Sequence, residues 1–150
     1  IKEDKLLNRR VYAINKGALF LICAMLFSTI AFATNSRASS RIDRFNVSLY
    51  IDYSGDLCTN FYVAANGKMD SLGVSKITIQ RYNGSRWVVE STLTVKNYPE
   101  MQTSNVSQHS AAISYTPAYA GATYQAVVTA YAEDSYGSST SEATTGQVRT

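Results

Sequence analysis

The chain has 150 residues, of which 14 are basic, 11 are acidic and 45% are hydrophobic. Residues 1–33 hold five of the basic and two of the acidic residues, which leaves nine of each from Thr34 onward. Because this balanced remainder lacks the clustered Lys and Arg residues with which proteins bind nucleic acids or anionic membranes, neither partner is expected.

The first predicted element is an export signal. Lys and Arg residues precede an uninterrupted apolar run of 17 residues at 17–33 (GALFLICAMLFSTIAFA). A basic start followed by such a run is typical of a secretory signal peptide, and the run is shorter than the roughly 20 residues that comfortably span a bilayer. Ala31 and Ala33 are the small residues that signal peptidase accepts, which predicts cleavage between Ala33 and Thr34. A cleaved signal is favoured over a retained anchor, and either places the remainder outside the cell.

The segment after the leader, residues 34–44 (TNSRASSRIDR), is polar and aperiodic, and it is predicted to be a flexible tether. A second small-residue cleavage site follows Ala38. Removal of the leader also removes Cys23, so Cys58 is left alone and no internal disulfide is expected. The chain opens with Ile1 instead of Met, which indicates an unusual start codon or a fragment.

The domain predicted for residues 45–150 is all-β, a single antiparallel β-sandwich of about seven strands, because apolar and polar residues alternate in short runs between turn signals. The first two strands are predicted at 45–53 and 57–65, and residues 66–73 (NGKMDSLG) are predicted to form a loop. The residues directed inward are Phe45, Val47, Leu49, Ile51 and Tyr53 in the first strand, and Leu57, Thr59, Phe61 and Val63 in the second.

The third and fourth strands are predicted to form a hairpin over residues 74–95. A two-residue turn at 83–84 (Asn-Gly) would place Ile77 opposite Glu90 and so bring a charge into the buried face. Burial of an unpaired carboxylate is too costly for a core position. The sequence therefore predicts a loop of a different length.

A three-residue loop at 82–84, with glycine in the left-handed conformation, avoids this cost. It brings the apolar residues together on one face and opposite charges together on the other. The resulting pairs are Ile79 with Trp87, Ile77 with Val89 and Lys76 with Glu90. In this register Trp87 is a core residue and not a ligand platform.

Three further strands complete the predicted sandwich. Residues 96–105 form a loop, and 106–115 form the fifth strand, with Ala111, Ile113 and Tyr115 inward. The sixth strand, 124–132, is apolar on both faces, which indicates a central position. Residues 138–148 are predicted to be the closing strand, because Thr and Val favour strands.

Residues 121–130 (GATYQAVVTA) resemble the sixth strand of fibronectin type III and related immunoglobulin-like domains, in which a glycine precedes a tyrosine by three residues. The resemblance implies a tyrosine corner at Tyr124, with its hydroxyl bonded to the backbone around residues 117–121. Residues 133–139 (EDSYGSS) are similar to the loop between the last two strands of that family. The leader, tether and single sandwich together resemble small exported proteins of unknown function from Gram-positive gut bacteria.

Residues with catalytic potential are sparse. His109 is the only histidine, and no nucleophile, base and orienting group are visible as a set. We therefore interpret His109 as a solvated histidine at the edge of a loop, and an enzyme is the weakest of the functional hypotheses. Cofactors are not expected.

Metal ligands and reactive thiols are equally few. One His and one Cys fall short of the roughly four ligands of a structural zinc site. Calcium could be held by carboxylates from two loops, although their spacing matches no EF-hand pattern and solvated turn residues are favoured. Cys58 could form an intermolecular disulfide, but a half-buried strand thiol is favoured. The carboxylates considered are Asp52, Asp56, Glu133 and Asp134.

Tyrosines provide the better functional indication. Five of them fall at predicted outward or loop positions, where a flat ring with a polar end can stack on a sugar or contact a protein, although tyrosine also simply suits strands. We expect a secreted or cell-surface, monomeric, non-catalytic module that binds an extracellular glycan. A protein-adhesion or host-interaction module is the alternative. The five residues are Tyr50, Tyr62, Tyr82, Tyr119 and Tyr136.

Overall fold

Alternating side chains form two antiparallel sheets in residues 41–150, the part of the chain that the computed structural model describes. The predicted leader, the cleavage site Ala33–Thr34 and most of the tether lie outside the described residues. A short 3₁₀ helix, Pro99–Met101, lies between the fourth and fifth strands. The strands are β1 (Ile42–Ile51), β2 (Leu57–Met69), β3 (Ser71–Tyr82), β4 (Trp87–Thr94), β5 (Gln102–Thr103), β6 (Val106–Tyr115), β7 (Thr123–Asp134), β8 (Gly137–Thr144) and β9 (Val148–Arg149).

The smaller sheet has the order β1-β2-β6, and the larger has the order β4-β3-β7-β8. The two-residue strands β5 and β9 pair with β3 and β7 at the margins of the larger sheet. Every strand pair is antiparallel. Among the described residues, no helix has the length and apolar character needed to cross a bilayer.

The core lies between the two sheets, because every second side chain of each strand points toward the opposite sheet. This confirms the predicted β-sandwich and most of its inward residues. β6 has the predicted bounds, and β7 lies between β3 and β8 as its two-sided apolarity indicated. The largest fully buried side chains include Tyr124, Ile42, Leu57, Leu72, Ile77, Ile79, Met101 and Ile113.

The predicted loop at residues 66–73 is wrong. β2 continues to Met69 and β3 begins at Ser71, so the two strands meet in a tight connection at Asp70. Met69 and Leu72 are both buried, and this inward packing stabilises extended backbone despite the two glycines.

The first strand also differs from its predicted bounds. β1 begins at Ile42, which is buried, and so includes residues 42–44 of the segment expected to be a tether. At the other end Tyr53 is fully exposed and not inward. The cause is a turn in which the Asp52 carboxylate accepts hydrogen bonds from the backbone N–H groups of Ser54 and Asp56, at 2.8 and 3.0 Å.

An ion pair joins the start of β1 to the turn between β7 and β8. The guanidinium of Arg41 lies 3.0 Å from the carboxylate of Asp134. The backbone carbonyl of Arg41 accepts a hydrogen bond from the backbone N–H of Asn66. Burial acts to raise the pKa of Asp134, but the Tyr136 backbone N–H and Arg41 act more strongly in the other direction, so the pKa is lowered. The start of the sandwich is thereby attached at this end of the larger sheet.

The predicted register of the β3–β4 hairpin is wrong. Tyr82 pairs with Trp87, so the connection has four residues, 83–86, in place of three. The Asn83 side-chain oxygen accepts from the backbone N–H groups of Ser85 and Arg86, and Gly84 has a φ of +95°. A turn of this kind satisfies its own backbone groups and selects glycine at the left-handed position.

A bulge at Glu90 shifts the register a second time. Gln80 pairs with Val89 but Ile79 pairs with Ser91, which leaves Glu90 without a direct partner on β3. The extra residue turns the Glu90 side chain inward, where only 9% of it is exposed. The carboxylate that the predicted register assigned to the outer face, opposite Lys76, therefore lies between the sheets.

Four donors compensate the buried charge of Glu90. One carboxylate oxygen accepts from the Arg81 guanidinium at 3.1 Å. The other is 3.0 Å from the Ala118 backbone N–H and 3.3 Å from the hydroxyls of Tyr115 and Tyr124. Because these donors come from β3, β6, β7 and the β6–β7 loop, Glu90 joins both sheets at one end of the sandwich.

The same environment raises the pKa of two phenols, those of Tyr115 and Tyr124. Burial raises the pKa of Tyr115, and the neighbouring Glu90 carboxylate raises it further. Burial also raises the pKa of Tyr124, against a smaller opposing effect of its hydrogen bond to the Tyr119 backbone. Both phenols are thus held in the neutral form that can donate a hydrogen bond.

Glu90→Ala should lower the free energy of unfolding by about 2–4 kcal/mol, because it leaves two phenols, a backbone amide and Arg81 without their acceptor. Urea unfolding followed by far-UV circular dichroism at neutral pH measures this change. Glu142→Ala, at an exposed position of β8, is the matched control and should change stability by less than about 0.5 kcal/mol. Equal effects of the two substitutions would contradict the role given to Glu90.

The stability of the protein should fall as the pH rises above about 10, the ordinary pKa of tyrosine. Above that pH the unfolded chain releases phenolic protons that the folded chain retains on Tyr115 and Tyr124, so the unfolded state is favoured. Unfolding free energies measured in urea between pH 8 and 11 test this. Tyr115→Phe/Tyr124→Phe should show a shallower decline, and an unchanged decline would contradict the assignment.

Candidate functional site

The bulge at Glu90 has a second effect, on the outer surface of the larger sheet. Because Glu90 points inward, its neighbours on β4 alternate so that Trp87 and Val89 face outward. Trp87 is half-buried beside Tyr82, with ring centroids 5.3 Å apart and an angle of 54° between the planes. Tyr82 is 42% exposed and Val89 is 61% exposed. The prediction that Trp87 is a core residue is therefore wrong.

Two glutamine side chains adjoin this aromatic pair. Gln80 on β3 pairs with Val89 on one side and Gln125 of β7 on the other. The Gln125 amide nitrogen donates to the Gln80 side-chain oxygen at 2.8 Å. The nitrogen of Gln80 and the oxygen of Gln125 have no hydrogen-bond partner among the described residues. The pair therefore offers both donors and an acceptor to a ligand.

We refer to these five residues together as the aromatic face. None of the five is charged, and the nearest exposed cation in sequence is Arg86 in the adjoining turn. The face of an aromatic ring offers an electron-rich surface to the C–H groups of a sugar, and the amides match its hydroxyls. The arrangement suits an uncharged ligand with one apolar and one hydroxylated side. The members are Gln80, Tyr82, Trp87, Val89 and Gln125.

The other outward tyrosines differ in what surrounds them. The Arg81 guanidinium lies 4.1 Å from the centre of the Tyr119 ring, so one side of that ring is already covered. Tyr136 is 91% exposed in the β7–β8 turn. Tyr50 and Tyr62 lie on β1 and β2, on the outer face of the smaller sheet. The predicted tyrosines thus fall on separate surfaces and do not form one site.

Tyr124 is fully buried at the start of β7. Its hydroxyl oxygen lies 3.3 Å from both the backbone nitrogen and the backbone carbonyl oxygen of Tyr119, and 3.3 Å from Glu90. The hydroxyl accepts from the nitrogen and can donate to either oxygen. This contact fixes the β6–β7 loop against the end of the core.

His109 is half-buried and lies within β6, not in a loop. Its Nε2 atom lies 2.8 Å from the carbonyl oxygen of Glu100, and its ring packs edge-on against Phe61 with centroids 5.5 Å apart. These contacts hold the 3₁₀ helix against β6. They use the imidazole for packing, with one ring nitrogen engaged by the backbone.

Cys58 is buried, more deeply than predicted. Its sulfur lies 3.1 Å from the Ser114 hydroxyl and 3.8 Å from the Asp52 carboxylate. The pKa of Tyr50, its neighbour across the strand pair, is raised mainly by a hydrogen bond with the Cys58 side chain. An intermolecular disulfide would require the sulfur to become exposed first.

The candidate calcium ligands are engaged within their own turns. Asp52 closes the β1–β2 turn, and Asp134 pairs with Arg41. Glu133 accepts a hydrogen bond from the Tyr131 hydroxyl at 2.8 Å, and this bond raises the pKa of Tyr131. Within residues 41–150, no three His, Cys, Asp or Glu side chains are grouped so that they could hold a metal ion.

Comparisons with protein-family models, with curated proteins and with solved structures found no match. Functional inference for this chain therefore depends on the geometry of its surfaces. In residues 41–150 the aromatic face combines two neighbouring, tilted aromatic rings with unpaired amide groups.

Sequence reasoning identified Tyr82 but missed Trp87 and the two glutamines. The signal that could have found Trp87 is the charge of Glu90, which pairs with Arg81 only when the turn is longer. The glutamines could not be found in the same way. Gln80 and Gln125 are 45 positions apart, and their contact depends on the pairing of β3 with β7.

Trp87 is the only tryptophan of the chain, so its fluorescence reports on the aromatic face. We expect acrylamide to quench this fluorescence in the folded protein, because the indole lies on the outer side of the sheet. Tyr82→Ala should increase quenching further, since it uncovers one side of the ring. Protection from acrylamide as complete as that of a core tryptophan would contradict this placement.

Proposed function

We propose that the chain is an exported, non-catalytic module that binds extracellular glycans through the aromatic face. The observation that carries the proposal is the pair formed by the exposed Tyr82 ring and the half-buried Trp87 ring, beside the unpaired polar atoms of Gln80 and Gln125. Sugar rings have C–H groups on their faces and hydroxyls at their edges, so aromatic rings and amides on the same side of a sheet complement both. The leader-like start of the sequence supports export.

We further propose that the sandwich is of the fibronectin type III or immunoglobulin-like kind. In immunoglobulin-like domains the first, second and fifth strands share one sheet, and the third, sixth and seventh share the other. Counting the seven long strands, β1-β2-β6 and β3-β7-β8 follow this order, with β4 beside β3. The contact between Tyr124 and the Tyr119 backbone is the kind that a tyrosine corner makes in that family.

The charge distribution favours a neutral glycan over an acidic one. The five residues of the aromatic face carry no charge, so apart from the adjoining Arg86 the surface offers no pairing to carboxylates or sulfates. Stacking requires partial removal of water from the rings but not from an ion, which keeps the desolvation cost small.

Affinity electrophoresis tests the proposal. Native gels containing hydroxyethylcellulose, mixed-linkage β-glucan or glucomannan should retard the protein, whereas polygalacturonate should not. Tyr82→Ala and Trp87→Ala should each weaken retardation about ten-fold in apparent affinity, which corresponds to the loss of about 1.4 kcal/mol of stacking. Binding should also change the fluorescence of Trp87.

Tyr136→Ala is the matched control, because Tyr136 is highly exposed but lies in the β7–β8 turn, away from the aromatic face. It should leave retardation unchanged. The proposal is overturned if no neutral polysaccharide retards the protein, or if Trp87→Ala is retarded as strongly as the unmodified chain.

A further inference from the structure

The outer face of the smaller sheet has two shallow cavities that share one wall, the side chain of Tyr62. A cavity of about 150 Å³ lies on one side and a cavity of about 350 Å³ lies on the other. The surface of the smaller cavity is mostly apolar, and the surface of the larger cavity is mostly polar. The smaller is lined by Asn46, Val47, Ser48, Asn60, Phe61 and Tyr62, and the larger by Tyr62, Gln108, His109 and Ser110.

Strand register explains why Tyr62 separates the cavities. Tyr62 on the central strand β2 pairs with Asn46 of β1 and with Ser110 of β6. Both neighbours are much smaller than a tyrosine, and Tyr62 lines the cavity on each side. The Tyr62 hydroxyl donates to the Gln108 side-chain oxygen at 3.1 Å, which holds the half-buried ring in position.

The dimensions of these cavities indicate the size of the group that fits. Pockets that enclose a whole small molecule usually have about 300–1,000 Å³ and bury most of it. The smaller cavity, at about 150 Å³, suits one substituent of a larger ligand. A ligand that fills both cavities must cross Tyr62, and it therefore has to be extended with a ring or flat unit at that point.

The chemistry of the walls restricts this ligand further. Asn46 and Asn60, which carry amide groups, are among the residues that line the smaller cavity, whose surface is mostly apolar. An acetamido group has the same two properties, since its methyl is apolar and its N–H and C=O require hydrogen-bond partners. None of the cavity walls contains a carboxylate, lysine or arginine, so the face complements an uncharged ligand.

We propose that this face, with Tyr62 at its centre, is a second glycan site that binds N-acetylated hexosamine units. The sugar ring stacks on Tyr62, its acetamido group enters the smaller cavity beside Asn46 and Asn60, and its hydroxyls reach Gln108 and Ser110. The inference depends on the proposed function only in its premise that the protein encounters glycans.

Two sites on opposite sheets would make one domain bivalent. The aromatic face lies on the outside of the larger sheet and Tyr62 on the outside of the smaller sheet, with the core between them. A single glycan chain cannot stack on both surfaces without passing around the domain. The protein would therefore connect two chains, and its attachment to a polymer network would be stronger than either site alone provides.

Calorimetric titration of the full-length Tyr82→Ala/Trp87→Ala variant with chitohexaose and cellohexaose tests the second site by itself. These probes share a β-1,4-linked backbone and differ in the acetamido group at carbon 2. We expect chitohexaose to bind this variant at least ten-fold more tightly than cellohexaose. Adding Tyr62→Ala should abolish the binding, and Asn60→Ala should weaken it and reduce the preference between the probes.

Tyr62→Phe is the matched control, because it retains the ring and removes only the bond to Gln108. It should retain most of the binding, and circular dichroism of each variant verifies the fold. The inference is overturned if the Tyr82→Ala/Trp87→Ala variant binds neither probe, if it binds both equally, or if Tyr62→Ala has no effect. Failure of the proposed function is detected by a different measurement. In that case neutral polysaccharides would neither retard the unmodified protein in native gels nor change its Trp87 fluorescence.

Discussion

The carboxylate of Glu90 is the group on which the arrangement of the larger sheet depends. A buried charge without partners is prohibitively costly, so the chain has to bring donors to it. Arg81, Tyr115 and Tyr124 approach it from three strands and both sheets. The bulge turns this side chain inward, and together with the four-residue turn it places Trp87 opposite Tyr82 on the outer surface and not in the core. One electrostatic requirement thus determines the register of a hairpin and the composition of an outer face.

The sequence was sufficient for the features that depend on alternation alone. In β2 the predicted inward residues, which occupy every second position from Leu57 to Val63, are all buried, and in β6 the apolar period ends where the strand ends. It was insufficient where a polar interaction outweighs apolar pairing. The pairing of Ile79 with Trp87 maximises apolar contact locally, but it leaves Glu90 away from donors supplied by distant strands. The residues next to Glu90 in the sequence do not indicate which distant strands supply those donors.

The candidate surfaces were predictable to a smaller extent, for a related reason. Outward tyrosines can be read from strand alternation, which identified Tyr62 and Tyr82. What surrounds a ring depends on neighbouring strands, so the cover of Arg81 over Tyr119 and the amide pair beside Tyr82 required the fold. Conversely, the glycines and polar residues at 66–73 suggested a loop, because their composition was given more weight than the apolar side chains of Met69 and Leu72, which are buried.

The ion pair between Arg41 and Asp134 determines how a tethered copy of the domain would be oriented. It places the point where the preceding chain enters the sandwich beside the β7–β8 turn, near Ser71 of β3. Tyr82 is at the far end of the same strand, roughly 35 Å away at about 3.3 Å per residue. A domain held at its entry point by a membrane or wall would present the tip of its β3–β4 hairpin to the surroundings. The membrane or wall would then lie at the end with the β7–β8 turn, and the outer faces of both sheets would remain accessible.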